Sequence, residues 1–273
     1  MPDPIFPPEI EYIVFTNALA LKNHGESALN LISVAKRVHA WLIPRLIQTL
    51  VVRTDPGTYQ YPMPWKIAGI RKYGKYVRNL FLWTARDHIE GVDAETYLIL
   101  CPNVTNLLLW NDGDVDEAPF QEIVHLPLTH LSIDLTAVPE ITSELSQLFS
   151  RLTHFETVGN INSENDVIQL KHLTSITHLA VPEMSIQRTI STVFTKLPTL
   201  QVLVLVQPGN RRTRLGLGGS FDPKSDDPRI VRVGWQYDKE VEDWMLDIEG
   251  QGMWGLADKE VRERQIMMNR KGI

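Results

Sequence analysis

Apolar residues along the middle of this chain recur with two nested periods. The shorter is a triplet at i, i+3 and i+5, and the longer is a spacing of 24 residues. Val104/Leu107/Leu109, Leu128/Leu131/Ile133, Leu152/Phe155/Thr157, Ile176/Leu179/Val181 and Leu200/Leu203/Leu205 follow one another in register, and fourteen of these fifteen positions are apolar. The residues between them repeat as well, as Thr129-His130-Leu131, Thr153-His154-Phe155 and Thr177-His178-Leu179, with Thr105-Asn106-Leu107 close to them. Two looser copies precede the array, Ile47/Leu50/Val52 and Val77/Leu80/Leu82. The last two apolar members of a triplet lie two apart, so they face one side of a strand, and the first turns in just before it. Between triplets, Ile186, Ile190, Val193 and Phe194 share a helical stripe, with less regular stripes at 96–100, 119–125 and 141–149. A strand and a helix repeated at this interval cannot bury their apolar faces alone, so neighbouring coils must stack. The pattern predicts an α/β fold: a curved solenoid of parallel strands with outer helices over residues 47–206.

This array resembles the leucine-rich repeat, in which Leu-x-x-Leu-x-Leu-x-x-Asn is followed by a helix or turn. The place of the family's Asn reads Asp112, Thr136, Asn160, Met184 and Pro208. Only the first three can hydrogen-bond through a side chain, which predicts irregular stacking at the last two coils. Residues 207–229, rich in Gly, Pro, Arg and Asp, read as a flexible loop. Residues 230–273 come after it as a capping unit: a strand at Ile230–Trp235, a helix carrying Val241, Trp244, Met245 and Ile248, and a second helix over 256–268. Solenoid ends need such an atypical unit to shield the exposed edge.

Residues 1–46 fall outside the repeat and read as a small segment of three short helices. Pro7-Pro8-Glu9 opens an apolar pattern through Ile10, Ile13, Val14, Ala18 and Leu21, which is helical spacing after a first-turn proline. A second stripe carries Leu29, Ile32 and Ala35 with Val34 and Val38 beside it, and Pro44 is expected to limit or kink the helix beyond Trp41. The strings Phe6-Pro7-Pro8-Glu9-Ile10-x-x-Ile13-Val14 and Ala28-Leu29-x-Leu31-Ile32-Ser33-Val34-Ala35-Lys36-Arg37-Val38 resemble an F-box. That motif opens Leu-Pro-x-Glu-Leu and later reads Leu-x-x-Leu-x-x-Val-Cys-Arg-x-Trp; here Phe6, Val14, Ala35 and Val38 depart from it. F-boxes commonly precede leucine-rich repeats, and the layout is similar to a divergent fungal set of such proteins. The resemblance implies a substrate-recognition subunit of a cullin–RING ubiquitin ligase. Its helices would dock on a Skp-type adaptor through Pro7, Pro8, Ile10, Ile13, Val14, Leu29, Val34 and Val38, while the solenoid holds a client protein. The alternative is a free-standing interaction scaffold whose helical segment merely caps the first coil.

Alternation along the strands sends Phe81, Trp83, Leu108 and Trp110 to the face opposite Leu80, Leu82, Leu107 and Leu109, with Ser132, Asp134 and Glu156 on the later strands. Large apolar side chains on neighbouring strands make a candidate client-binding patch comprising Phe81, Trp83, Leu108, Trp110, Asp134 and Glu156, unless the N-terminal helices or the loop over 54–65 cover it. His130, His154 and His178 would stand on adjacent strands, but a residue that recurs with the repeat is first a repeat feature, and no carboxylate or cysteine accompanies it in register. The Gly216-Leu217-Gly218-Gly219-Ser220 stretch near Arg211, Arg212 and Arg214 lacks the glycine spacing and lysine of a nucleotide loop and reads as surface loop.

No nucleophile–base pair, catalytic elbow or metal motif appears, so neither enzyme activity, cofactor nor metal is expected. The 33 acidic residues against 27 Lys plus Arg, net −6, argue against general nucleic-acid binding. One cysteine, Cys101, excludes an internal disulfide framework. No basic segment and apolar stretch open the sequence, and no apolar run approaches the ~18 residues of a spanning helix. The expectation is an intracellular protein, cytoplasmic or nuclear, with no membrane contact.

Overall fold

Leu50, Leu80, Leu107, Leu131, Phe155, Leu179, Leu203 and Ile230 stand opposite one another in eight consecutive parallel strands, one residue from each coil. A computed structural model describes residues 6–20, 30–53, 67–85, 94–112, 120–134, 138, 141–157, 170–183, 190–208, 227–235, 240–248 and 250–271. The strands are β1 (Thr49–Arg53), β2 (Asn79–Ala85), β3 (Asn106–Asp112), β4 (His130–Ile133), β5 (His154–Thr157), β6 (His178–Pro182), β7 (Val202–Pro208) and β8 (Ile230–Trp235). They form one sheet whose spatial order is the chain order. That arrangement is solenoid-like, because each coil adds its strand beside the previous one.

The inward column is buried from Leu50 to Leu203, together with the second inward residues Val52, Leu82, Leu109, Ile133, Val181 and Leu205. The opposing layer comes from α3 (Ile67–Tyr73), α4 (Ala94–Leu100), α5 (Phe120–Ile123), α6 (Ser143–Arg151) and α7 (Ile190–Lys196). Ile70, Tyr97, Leu98, Phe120, Ile123, Leu145, Leu148, Phe149 and Val193 pack on the column as a single continuous core. The triplets therefore behave as their spacing requires, including the looser copies in β1 and β2. Cys101 lies in this core, and burial pushes its thiol up to about 12, so it is chemically inert at neutral pH.

Stacking of the coils is sealed by the repeated threonine. The backbone N–H groups of Thr129 and His130 both donate to the Thr105 carbonyl, at 2.9 and 3.1 Å; Thr153 and His154 do the same to Thr129, and Thr177 and His178 to Thr153. Each threonine hydroxyl donates to the same carbonyl, at 3.4, 3.1 and 3.1 Å. Backbone groups buried between coils must be satisfied, and the residue before each strand does this here. Thr136, Asn160 and Met184, at the place of the family's Asn, lie outside the described residues.

Before the sheet, α1 (Pro8–Ala20) packs on α2 (Lys36–Leu46). Arg37 donates to both oxygens of Glu11, at 2.7 and 2.9 Å, and Tyr12 meets Trp41 edge to face. Two expectations change. Residues 30–33 are helical but Ala35 is extended (φ −156°, ψ 152°), so the second stripe is broken and α2 starts at Lys36. Pro44 lies inside α2 and does not end it before Leu46.

The C-terminal unit is placed differently from the expected end cap. β8 does extend the sheet beyond β7. The helices α8 (Glu240–Ile248) and α9 (Met253–Lys271), however, fold back across the outward face of the strands. The physical reason is the composition of that face, whose apolar ends would otherwise be open to water. Of residues 207–229, those from 209 to 226 lie outside the described residues, including the Gly/Arg stretch.

Candidate functional site

On the outward face the register aligns two columns. The first runs Thr49, Asn79, Asn106, His130, His154, His178 and Val202; the second runs Val51, Phe81, Leu108, Ser132, Glu156, Ala180, Val204 and Val231. The second column is apolar at both ends and polar in the middle. Over one end, Trp244 of α8 meets Phe81 edge to face at 5.7 Å and packs with Trp83 and Leu108. Over the other end, Met253, Ala257 and Val261 of α9 pack on Ala180, Val202, Val204, Val206, Val231 and Val233. The two helices thus touch the sheet at its apolar flanks and bridge the polar centre, leaving a cavity of about 600 Å³ above Ser132 and Glu156.

The elbow between the helices is tight. Gly250 is left-handed (φ +72°), and a Cβ on Gly255 would lie 2.0 Å from the Gly250 carbonyl oxygen. Asp247 Oδ1 accepts the Trp254 backbone N–H at 2.8 Å and so caps the start of α9. Farther along α9, buried Arg264 donates to Glu260 and to the Ile230 carbonyl, fastening the helix to β8.

The first column is a polar ladder. Asn106 Nδ2 donates to Asn79 Oδ1 at 2.7 Å, and Asn79 Nδ2 to Thr49 Oγ1 at 3.0 Å. Beyond them the three histidine rings stack, His130 on His154 at 4.0 Å and His154 on His178 at 4.1 Å, within 15° of parallel. Trp254 sits edge-on to the last two. Each ring Nδ1 lies 2.8–3.0 Å from the hydroxyl of the preceding threonine. His178 Nε2 is 2.9 Å from Asp258 Oδ1; the carboxylate only accepts, so Nε2 carries a proton. Burial, with repulsion from neighbouring histidines, lowers His130 to about 4 and His154 to about 3, which keeps both neutral at pH 7. In parallel rings the nitrogen lone pairs are parallel too and cannot converge on one ion. Among the described residues no group of three or more His, Cys, Asp or Glu side chains is placed to hold a metal.

Glu156 is the second unusual group. Burial raises its pKa, with the Ser132 hydroxyl acting weakly in the opposite sense. No Lys, Arg or His side chain among the described residues pairs with it. Ser132 is itself buried, and its Oγ makes no aligned hydrogen bond among the described residues.

The residues expected to bind a client occupy three different settings. Phe81, Trp83 and Leu108 face outward but are buried, at 0, 7 and 5% exposure, beneath Trp244. Trp110 stacks on Trp83 at 5.1 Å and is half-buried, and Asp134 is half-buried after β4. Glu156 lines the cavity. Among the described residues these side chains form no open aromatic patch, and their cover is Trp244 of α8; the 54–65 loop lies outside the described residues. Trp244, Trp254 and Asp258 complete the site and carry no repeat signal; the one hint is that outward positions of β2, β3, β6 and β7 are apolar and so require an apolar lid.

At the N-terminus, Pro7, Pro8, Ile10, Ile13, Val14 and Val34 are all exposed, Ile10, Ile13 and Val14 to 45, 52 and 53%. Val38 is the exception among the described residues: it is 1% exposed, because the break at Ala35 sets α2 with Val38, Leu42 and Ile43 turned inward. Leu29 lies outside the described residues. No helix among those described is long and apolar enough to cross a membrane. Compared by sequence, the chain matches no protein-family model, and no curated protein is similar enough to count as a relative.

Proposed function

We propose that the chain is a non-enzymatic substrate-recognition subunit of a cullin–RING ubiquitin ligase, with F-box-like helices that dock on a Skp-type adaptor and a leucine-rich-repeat-like solenoid that engages the client. The observation that carries this reading is the exposed stripe of α1. Ile10, Ile13 and Val14 lie together on one side of α1, with Phe6 before the helix and Val34 also exposed, while Glu11 and Tyr12 on another side are held by Arg37 and Trp41 of α2. A contiguous exposed apolar stripe on a helix is the mark of an interaction surface, so this one calls for a protein partner. Val38 supports the helical packing instead of this surface.

The test is adaptor capture by the full chain and by an Ile10→Asp/Val14→Asp variant. Both positions are exposed, so the substitutions are expected to change stability by no more than about 0.5 kcal/mol. Capture by the intact chain and its loss in the variant supports the ligase reading. Equal, poor retention of the adaptor by both removes it and leaves the free-standing interaction scaffold.

A further inference from the structure

The cavity under α8 and α9 has a chemical signature that the adaptor reading neither uses nor explains. Its floor holds Glu156 and Ser132, two polar groups set between apolar flanks and roofed by the chain's own helices. Other carboxylates around the cavity are engaged or turned to water: Asp258 pairs with His178, Asp247 accepts from the Trp254 N–H, and Glu263 is exposed. Glu156 faces the space from the floor; Lys259 and Arg262 of α9 also line the cavity, but no Lys, Arg or His side chain among the described residues makes an ion pair with Glu156. Ser132 Oγ, in a residue 6% exposed, lies beside the Glu156 carboxylate but makes no well-aligned hydrogen bond among the described residues, which leaves its hydrogen-bonding capacity open to a ligand. His130 and His154 beside them stay neutral, so they do not compensate the carboxylate. The indoles of Trp244 and Trp254 border the same space from the roof. The cations nearby, Lys259 and Arg262, are on α9, and Arg262 is turned to solvent near Asp258. A volume of about 600 Å³ matches a small-molecule site.

We propose that this cavity binds an organic ammonium ion, its N–H groups directed to the Glu156 carboxylate and Ser132 Oγ and its hydrocarbon part between Trp244 and Trp254. A carboxylate supplies the charge-assisted hydrogen bond, the hydroxyl adds a second acceptor, and indole faces attract a cation while covering its alkyl chain. A carboxylate ligand would meet Glu156 with like charge, and a neutral alcohol would leave that charge uncompensated. Binding therefore selects for ammonium over both.

The experiment is calorimetric titration of the full chain at pH 7 with n-hexylammonium, 1-hexanol and hexanoate, accompanied in parallel by tryptophan fluorescence. Hexylammonium is expected to bind and perturb the fluorescence, with the other two at least about tenfold weaker, the factor a single charge-assisted contact commands. Glu156→Gln is expected to reduce hexylammonium affinity by about tenfold or more and Ser132→Ala by a few-fold. Thermal denaturation of Glu156→Gln separates lost binding from lost folding, because this variant is expected to melt no lower than the parent. A pentapeptide with a central lysine distinguishes the source: affinity equal to that of hexylammonium assigns the ammonium to a protein side chain, and weaker affinity to a free amine. The proposal is overturned if the three six-carbon probes bind alike, if none binds by about 10 mM, a free energy near 3 kcal/mol, or if Glu156→Gln binds hexylammonium as the parent does.

Discussion

His178 on β6 and Asp258 on α9 are 80 residues apart in sequence and meet through Nε2 and Oδ1 at 2.9 Å. The contact ties the covering helix to the last ring of the histidine stack, at the border between the polar floor and the apolar flank. His178 is 8% exposed, so its protonated Nε2 has little access to water and depends on Asp258 as its acceptor. Asp258→Asn is expected to lower stability by about 1 kcal/mol, the scale of a partly exposed charge-assisted pair. The loss should be local: hydrogen exchange accelerates in residues 253–271 while β3–β5 keep their protection. Equal acceleration across the whole sheet would contradict the view that this pair fastens only the helix.

The same stack sets a pH response. His130 and His154 titrate near 4 and 3 in the folded protein, against 6.5 when unfolded. Between those values the unfolded chain binds more protons, so stability is intact above about pH 6.5 and falls as pH drops toward 4 and 3. The combined loss is on the order of a few kcal/mol. It is read from denaturation midpoints between pH 7 and 4.5, and a His130→Asn/His154→Asn variant should show a shallower slope. Identical slopes would place the acid sensitivity elsewhere.

Glu156 works in the other direction. Its folded pKa lies above 4.5, so the folded state holds the proton to higher pH than the unfolded one, and stability is lost as pH rises from 4.5 through the folded value. An uncompensated carboxylate under a roof therefore destabilises the protein at pH 7. Glu156→Gln, which keeps shape and removes charge, is expected to be more stable than the parent at pH 7, with the gain shrinking toward pH 4.5. Denaturation at both pH values checks the sign.

The inward column is legible in the sequence because stacking demands the same residue type at the same place in every coil, so Leu131, Phe155 and Leu179 advertise themselves by period. Outward-facing Phe81, Trp83 and Leu108 are equally legible as to side, but not as to cover. The docking of Trp244 and Met253 happens once, leaves no period, and depends on Gly250 and Gly255 shaping an elbow. Val38 departs from its expected place for a related reason: one extended residue, Ala35, interrupts the helical stripe, and nothing in the apolar spacing marks that break. The cavity itself arises only from the meeting of a polar strand centre with a roof brought from a distant part of the chain.

That elbow makes the last prediction, in which two glycines fail for different reasons. Gly250 needs its left-handed backbone but has open space around its Cα, with nothing within 4 Å of an added Cβ. Gly250→Ala should therefore cost only about 1–2 kcal/mol of backbone strain, and Gly250→Asn less, since asparagine tolerates that conformation. At Gly255 the obstacle is contact: an added Cβ would meet the Gly250 carbonyl at 2.0 Å, and backbone must move to admit it. Gly255→Ala should cost about 1–3 kcal/mol as overpacking and lift the start of α9, where Trp254 lies against His154 and His178. The two effects separate by measurement. Gly250 variants should lower the melting temperature with unchanged tryptophan emission, whereas Gly255→Ala should also red-shift the emission and raise dye binding as Val204 and Val231 lose their cover. If Gly255→Ala melts like the parent with unchanged emission, the elbow does not hold the roof in place.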